Sequence, residues 1–477
     1  MKAPFSEYLS QIAPAVREVV NDLSKDHDYV SALATDSKGL LISIGSKSRS
    51  ISNKTMTTER GVVFRVCSDE KYAEYAVNTA DWRDTSQIIK NIRDEFEKQD
   101  KLLKETNSEI YRTGALEDEK RELFGELEAE ILPEKADIKA LTQKLIAISD
   151  KGMKAGPDVI ECVARAQSTH ICKMFITKNS DMRQSYVYSE GMVSAVVSKD
   201  GKIRDDHRSF SGLGGPELFD ELKTKVEKVV QDAEELLGAE SIEPGEYEIV
   251  TSPEVTGLIA HEAFGHGVEM DMFVKHRALG AEYIDKRVAS DKVTMHEGAK
   301  CAQNVTSYLF DDEGVPAGDV TEIDKGILRS GICDALAAKR LGVKPTGNGK
   351  RQNFAHKAYT RMTNTVFDSG EYTKEEMIGS IKYGYLLEGM QSGMEDPKHW
   401  GIQCIIQKGR EIKDGKLTGR VVSPVIMTGY VPDLLGNITM CSKDREIFGS
   451  GGCGKGHKEW VKVADGGPYL KTKARLG

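Results

Sequence analysis

The sequence predicts an α+β protein, with an N-terminal α/β region that contains long helices and a C-terminal domain that is mostly β. Three observations support this fold class. The chain opens with apolar residues at helical spacing, continues through short alternating segments, and becomes richer in glycine and turn residues from residue 246. The length of 477 residues suits about two to four domains. We place the division so that residues 1–240 form the N-terminal region and residues 241–477 form the C-terminal domain.

Residues 1–81 are predicted to form a small α/β unit. Residues 28–78 alternate or run apolar, which predicts strands, and Lys38-Gly39 is expected to form a turn between them. Before them, charged residues interrupt an apolar stripe, which indicates an amphipathic helix rather than a signal peptide. The stripe consists of Phe5, Leu9, Ile12, Val16, Val19, Val20 and Leu23.

Residues 82–150 form a charged connector that is poor in glycine and is predicted to be helical and solvated. A coiled coil that binds a partner would need sustained heptads, which this segment lacks. Residues 151–240 return to strand patterns, with hairpins, an Asp200-Gly201 turn and a final helix.

The C-terminal domain begins near Pro244-Gly245. Residues 305–314, 401–416 and 420–429 are predicted to be strands joined by glycine turns. Residues 254–266 are expected to form a helix, which is the one that carries the candidate metal site described below.

The composition of the chain argues against two classes of protein, nucleic-acid binders and membrane-spanning proteins. The net charge of −9 disfavours a nucleic-acid binder, which usually presents a basic surface. We find no apolar run that approaches the 18 or so residues of a membrane span. Eight scattered cysteines without a C-x-x-C pair, in a chain without a secretion signal, are expected to be reduced. We therefore expect a cytoplasmic protein that binds neither nucleic acid nor membrane.

The segment LIAHEAFGHGVEMD places His261 and His266 five positions apart, with Glu262 between them. Residues five apart on a regular helix differ by about 140° in direction, whereas those of the helical zinc motif H-E-x-x-H differ by about 40°. Gly265 permits a wide turn, a π-type bulge or a helix end, any of which could bring the two imidazoles together. Glu262, adjacent to one histidine, is then the candidate general base. The alternative is that both histidines are ordinary polar residues at a helix end.

A catalytic zinc site needs a third protein ligand. The glycine-rich segment FGSGGCGKGHKEW offers the distant Cys453, and a thiolate is a strong zinc ligand, although an isolated cysteine is usually inert. Candidates closer in sequence are Glu269, Asp271, His276, Glu282 and His296. The residues alone leave this choice open.

The glycines of that segment also imitate nucleotide-binding motifs. Gly449, Gly451 and Gly454 fit G-x-G-x-x-G, but the short remaining chain offers no following helix and strand. A P-loop would need Ser or Thr after Lys455, where this chain has glycine. The sequence therefore argues against nucleotide binding.

The assembled motifs resemble the TldD/PmbA family of zinc metallopeptidases, and specifically its catalytic TldD-type branch. The resemblance covers residues 246–477 in order and spacing, and the N-terminal region more loosely. The blocks that carry it are HEAFGHGVE, FDDEGVPAGD, AKRLGVKPTGNGKRQNFAHKAYTRMTNT, IKYGYLL, GCGKG and DGGPYLK. It implies one Zn²⁺ per subunit, held by His261, His266 and Cys453, with Glu262 as general base.

The resemblance also implies a substrate and partners. Family members cleave unstructured peptides, including leader peptides, in a closed two-subunit chamber, where the peptide lies extended along a sheet edge. The subunit is expected to form a homodimer or a heterodimer with a related subunit that lacks the metal motif. The alternatives are a non-catalytic subunit that only completes the chamber, and a structural zinc protein. The metal could also be iron or cobalt.

Three features depart from the family pattern. Residues 388–401 could alter the substrate channel or form a surface loop, and the connector at 82–150 leaves the partner surface open. His457, near Trp460, is a candidate fourth ligand. Residues 310–314, FDDEG, are acidic but lack EF-hand spacing, so a solvated turn is expected there.

Overall fold

The computed structural model describes residues 1–106, 111–455 and 459–477. Its strands form two large sheets, one between residues 29 and 213 and the other between residues 245 and 476. We propose the domain boundary near residue 240, because the chain passes from the first sheet to the second there. The α+β fold class predicted from the sequence is confirmed.

The N-terminal sheet has the strand order β4-β3-β1-β6-β7-β5, with β2 paired to β1 and β8 paired to β7. Its strands are β1 (Tyr29–Ile44), β2 (Arg49–Ser52), β3 (Arg60–Ser68), β4 (Lys71–Val77), β5 (Glu122–Glu126), β6 (Val159–Thr177), β7 (Asp181–Lys199) and β8 (Lys202–Leu213). Long antiparallel ladders dominate it, and the predicted Asp200-Gly201 turn joins β7 to β8 with both residues at positive φ.

Helices cover this sheet and bury their apolar faces against it. They are α1 (Glu7–Leu23), α2 (Thr85–Thr106), α3 (Ile138–Met153) and α4 (Val226–Leu237). The predicted opening helix is confirmed: Ser6 caps it by accepting from the Leu9 amide. The apolar stripe of α1 packs on β1, β3 and β6, which supplies most of the local stabilisation.

Two N-terminal predictions are wrong. Lys38-Gly39 forms no turn, because β1 runs through it and pairs with β6 from Ser31 to Ile44. The 82–150 connector is not helical throughout, since it contains β5, which pairs in parallel with β7. In both cases pairing with a long neighbouring strand overrides the local preference.

The C-terminal sheet has the order β12-β11-β10-β15-β23-β19-β17-β16-β9. Its last strand in that order also pairs with β23, so β9, β16, β17, β19 and β23 close into a ring. The strands of this half of the chain are β9 (Gly245–Thr251), β10 (Met295–Glu297), β11 (Val320–Asp324), β12 (Ile327–Leu328), β13 (Gly349–Lys350), β14 (Tyr359–Thr360), β15 (Asn364–Phe367), β16 (Tyr383–Asp396), β17 (Gly401–Lys413), β18 (Lys416–Val422), β19 (Val425–Tyr430), β20 (Met440–Phe448), β21 (Cys453–Lys455), β22 (Glu459–Val461) and β23 (Ala464–Leu476). In the large sheet β18 pairs with β17 and β20 pairs with β23, whereas β13 with β14 and β21 with β22 form two separate two-stranded sheets.

Short helices complete this half, and its core lies between them and the ring of strands. They are α5 (Pro253–Ala260), α6 (Asp271–Val274), α7 (Ala335–Leu341), α8 (Lys374–Gly379) and α9 (Val431–Gly436). The helix α5 lies against β23: a Cβ on Gly257 would be 2.6 Å from Oδ1 of Asp465, so only glycine permits this approach.

The prediction for residues 305–314 is wrong in two respects. They form no extended strand, and the acidic turn at 310–314 is buried rather than solvated. Asp312 pairs with Lys173 of β6, and Glu313 pairs with Arg65 of β3. Cations from the N-terminal sheet thus compensate these buried carboxylates and hold this turn of the C-terminal half against the N-terminal sheet.

All eight cysteines are free, and seven of them are buried. Within the described ranges, no helix combines the length and apolar character needed to cross a membrane.

Candidate metal centre

The helix α5 ends in a distorted turn at the histidine pair. Ser252 caps its start by accepting from the Val255 amide, and Pro253 occupies the first turn. From His261 the helix widens, so that the His266 amide donates to the carbonyl of His261, five residues earlier. This π-type turn is one of the three distortions that Gly265 permits, and a Cβ at Gly265 would lie 2.2 Å from the Met362 sulfur.

The wide turn brings both predicted histidines to one point. Their ring centroids are 5.1 Å apart, and the rings are nearly perpendicular. Cys453, at the start of β21, places its sulfur 3.2 Å from Nε2 of His266. One potential ligand atom from each of these three residues lies within 4.8 Å of the other two.

The structure separates the third-ligand candidates that the sequence left open. Of His, Cys, Asp and Glu in the described ranges, the three residues above are the group that could hold one ion. Glu269 instead lies behind His266, and His296 pairs with Asp319, away from the site. His457 lies outside the described residues.

Each histidine also has a carboxylate behind it. Nδ1 of His266 is 3.0 Å from Glu269 Oε2, and Nδ1 of His261 is 3.5 Å from Asp465 Oδ2. Carboxylates in this position fix the orientation of imidazoles that bind metal through their other nitrogen. Sequence reasoning missed Asp465, because it lies far along the chain in β23 and no spacing rule links it to the histidines.

The electrostatics of the group favour a thiolate next to imidazoles. Burial alone would raise the pKa of the Cys453 thiol, but the neighbouring His266 and His261 hold that pKa well below its usual value. Conversely, burial would lower the pKa of His266, whereas the charges of Cys453 and Glu269 raise it to about 10. The three groups therefore stabilise one another's charged forms.

The residues fit a bound metal ion. His261, His266 and Cys453 each offer one potential ligand atom within 4.8 Å of the other two, so the three side chains can share one ion. Two imidazoles and one thiolate are a typical zinc donor set, and three protein ligands leave a further position open.

Glu262 lies beside this group and is largely buried. Burial raises its pKa above the ordinary carboxyl value. Its side chain lies against Gly393 of β16, where a Cβ would be 2.8 Å from its Oε1. A carboxyl beside candidate metal ligands is in position to accept a proton and return it.

A cleft of about 1100 Å³ opens onto these residues. The segment that departs from the family pattern, 388–401, forms the end of β16, a turn and the start of β17, and residues 390–395 and Pro397 line the cleft. It is therefore a wall of the cleft rather than a surface loop. Two large apolar side chains of the lining, Met394 and Trp460, are 63% and 47% exposed.

One edge of β16 is open along this wall. The strand pairs with β17 throughout, but with β9 only from Gly384 to Leu387. Beyond Leu387, its second edge has no strand partner among the described residues. An open edge of this kind can accept an extended peptide as an additional strand.

Comparison with known proteins supports the family resemblance. Residues 244–471 match the model of the PmbA/TldA metallopeptidase C-terminal domain. A protein named metalloprotease from Methanothermobacter thermautotrophicus is 30% identical over 283 residues, which cover 59% of this chain and 61% of that protein. A zinc metalloprotease TldD homolog from Saccharolobus solfataricus is 32% identical over 238 residues, covering 48% of this chain and 51% of the relative. These matches cover 61% and 51% of the two relatives, which is less than two thirds of their length.

Solved structures share the fold over nearly the whole chain. A modulator of DNA gyrase from Bacteroides thetaiotaomicron has a TM-score of 0.78 at 15% identity and covers 99% of both chains. TldE from Thermococcus kodakarensis has a TM-score of 0.75 at 17% identity, covering 97% of this chain and all of that one. At such low identity these two structures bear on the fold alone. The matches in sequence show that residues 244–471 of this chain carry the C-terminal domain of the PmbA/TldD metallopeptidase family.

Proposed function

We propose that this chain is a zinc-dependent peptidase that cleaves small unfolded polypeptides, such as propeptides or leader peptides. The observation that carries the proposal is the convergence of His261, His266 and Cys453 within 4.8 Å, with Glu262 beside them. The name of the Saccharolobus relative, a zinc metalloprotease, supports both the metal and the reaction class.

His261, His266 and Cys453 would hold one zinc ion per subunit. When bound, zinc supplies Lewis acidity that polarises a carbonyl group and lowers the pKa of water. Asp465 and Glu269 keep the two imidazoles in orientation. The Glu262 carboxylate takes a proton from the attacking water and returns it to the nitrogen of the leaving amine.

The cleft suits an extended, unfolded substrate. Main-chain hydrogen bonds to the open edge of β16 would provide affinity that depends little on sequence. The exposed Met394 and Trp460 would contact apolar substrate side chains. A segment buried inside a folded domain cannot present its backbone to this strand edge, so we expect the substrate segment to be extended and unfolded.

We further propose that the protein acts in the cytoplasm as a dimer, either with a second copy of itself or with a related subunit that lacks the metal motif. The structural likeness to TldE is compatible with the second form. Neither a nucleic acid nor a membrane is proposed as a partner.

Two alternative functions receive less support. A subunit that only completes a chamber needs neither metal ligands nor a general base, yet all four side chains are present together. A structural zinc site usually has four protein ligands, and the described residues supply three.

Metal analysis of the purified protein and of Glu262→Gln, combined with hydrolysis of an unfolded polypeptide, tests the proposal. We expect one zinc ion per chain in both proteins and hydrolysis by the wild type alone. Hydrolysis by Glu262→Gln would remove Glu262 as the base, and a metal-free wild type without activity after zinc addition would overturn the proposal. The mass of the active complex then distinguishes a homodimer from a heterodimer.

A further inference from the structure

The side chains of His266 and Cys453 are in contact although the two residues lie far apart in the chain. Other contacts must therefore hold the strand β21 against the C-terminal end of α5. Arg361, between β14 and β15, is in position to do this. It is 1% exposed, and its Nη2 donates to the carbonyl of Cys453 at 2.7 Å. Its Nη1 donates to the carbonyl of Glu459 at 2.9 Å. One guanidinium thus binds the backbone of both β21 and β22, the paired strands that present the cysteine.

The same guanidinium faces the carboxylate that supports His266. Nε of Arg361 is 3.9 Å from Oε1 of Glu269, and both atoms are buried without a hydrogen-bond partner among the described residues. The other oxygen of Glu269 is 3.0 Å from Nδ1 of His266 and 3.1 Å from Nζ of Lys455, which follows Cys453 by two residues. Glu269 therefore connects His266 to cations that hold the cysteine strand.

We propose that Arg361 is a positioning residue that, together with Glu269, keeps Cys453 beside His266 and thereby sets the affinity of the metal site. The inference rests on the proposed zinc site and concerns how this chain assembles it. The planar guanidinium can donate to two carbonyls while its third nitrogen faces a carboxylate. A lysine in its place keeps the charge but not this fixed fork, so the substitution isolates the geometric contribution.

The chain offers a matched control in Arg351. It is also buried, at 9% exposure, and it donates to a backbone carbonyl, that of His356, at 2.7 Å. It likewise pairs with a carboxylate, Glu74, at 3.1 Å. Within the described residues, no hydrogen bond or ion pair links it to the three candidate ligands or to Glu269. Arg351→Lys therefore removes a comparable set of buried arginine contacts, none of which involves the candidate metal site.

The test measures zinc affinity by competition with a chromophoric chelator, and the sulfur-to-cobalt charge-transfer absorption of the protein loaded with Co²⁺. Partners of metal ligands typically contribute about 10- to 100-fold in affinity, so we expect Arg361→Lys to weaken zinc binding by that factor. We also expect its charge-transfer band to change, because the position of the sulfur changes. Arg351→Lys should keep both the affinity and the spectrum of the wild type.

Wild-type affinity and spectrum in Arg361→Lys would overturn the inference, and so would an equal loss in Arg351→Lys. If Arg361→Lys fails to fold, Glu269→Gln tests the other half of the same link. We expect it to weaken zinc binding as well, and unchanged affinity there would again overturn the inference. Whatever the variants show, the proposed function stands if the wild-type chain binds zinc and cleaves peptides. A wild-type chain that binds no zinc would overturn both the proposed function and this inference.

Discussion

Gly393 of β16 lies directly against Glu262: a Cβ on Gly393 would be 2.5 Å from Cγ of Glu262. The wall of the cleft and the candidate base are therefore in contact, and the absence of a side chain at one residue makes room for the other. The strand proposed to bind substrate, β16, therefore packs directly against Glu262, the side chain proposed to transfer the proton.

We predict that Gly393→Ala lowers peptide cleavage while zinc binding persists. The added methyl group must displace the Glu262 side chain, and a displacement of about 1 Å can cost roughly 100-fold in rate. Measurement of kcat/KM on an unfolded peptide, together with the zinc content, checks this. Gly401→Ala is the control, because a Cβ at Gly401 of β17 meets no atom within 4 Å. Equal activities of the two variants would show that Glu262 does not depend on this contact.

The local geometry of the site could be predicted from the sequence. The five-residue spacing of His261 and His266 requires a distorted helix end, which Gly265 permits, and the structure has a π-type turn there. Residues close in sequence are linked by helix geometry, so their relative directions follow from the spacing alone. Strand patterns in the C-terminal half were also informative, because alternating apolar residues face one side of a sheet.

Long-range relationships could not be predicted in the same way. Family resemblance, not spacing, selected Cys453, and neither indicated the roles of Arg361 or Asp465. The acidic turn at 310–314 was expected to be solvated, but Lys173 from a distant strand compensates it. Local sequence does not encode which distant cation a carboxylate will meet, since that depends on the tertiary arrangement of both sheets.

We predict that Cys453→Ala loses zinc together with peptide cleavage. Removal of the thiolate leaves two imidazoles, whereas catalytic zinc sites usually have three protein ligands. Zinc content after dialysis and the rate of cleavage are the measurements. Cys441→Ala is the control, because Cys441 is also buried but its sulfur contacts the carbonyl of Lys292. Normal zinc content and turnover in Cys453→Ala would remove the sulfur from the site.

A buried ion pair attaches the glycine-rich segment before Cys453 to the N-terminal sheet. Nζ of Lys462 is 2.6 Å from Oε2 of Glu190 in β7 and donates to the carbonyl of Gly449 at 2.7 Å. The same Glu190 oxygen accepts from the Gly451 amide at 3.1 Å. Both side chains are at most 9% exposed.

We predict that Lys462→Met lowers the free energy of unfolding by roughly 3–5 kcal/mol, because it leaves the Glu190 carboxylate buried without its cation. The double variant Glu190→Gln/Lys462→Met should lose less than the sum of the two single losses, because the residues interact directly. Chemical unfolding of the four proteins measures this coupling. Additive losses would mean that the pair contributes no interaction energy.

The carboxylate of Glu74 in β4 is predicted to make stability depend on pH in acid. Burial alone would raise its pKa, but Arg65 and Arg351 lower it from 4.5 to about 2. Arg65 Nε is 2.8 Å from Oε1 of Glu74, and Arg351 Nη2 is 3.1 Å from the same oxygen. The cluster joins the N-terminal sheet to a loop of the C-terminal half.

Because the pKa is lower in the folded protein than in the unfolded chain, the unfolded chain binds more protons between pH 4.5 and 2. The stabilisation is therefore fully present above pH 4.5 and disappears as the pH falls toward 2; it amounts to roughly 3 kcal/mol. We expect Glu74→Gln to unfold at lower denaturant concentration than the wild type at pH 7, and the difference to shrink steadily below pH 4.5. Unfolding midpoints measured from pH 7 to pH 2.5 check this, and a difference that stays constant with pH would contradict the lowered pKa.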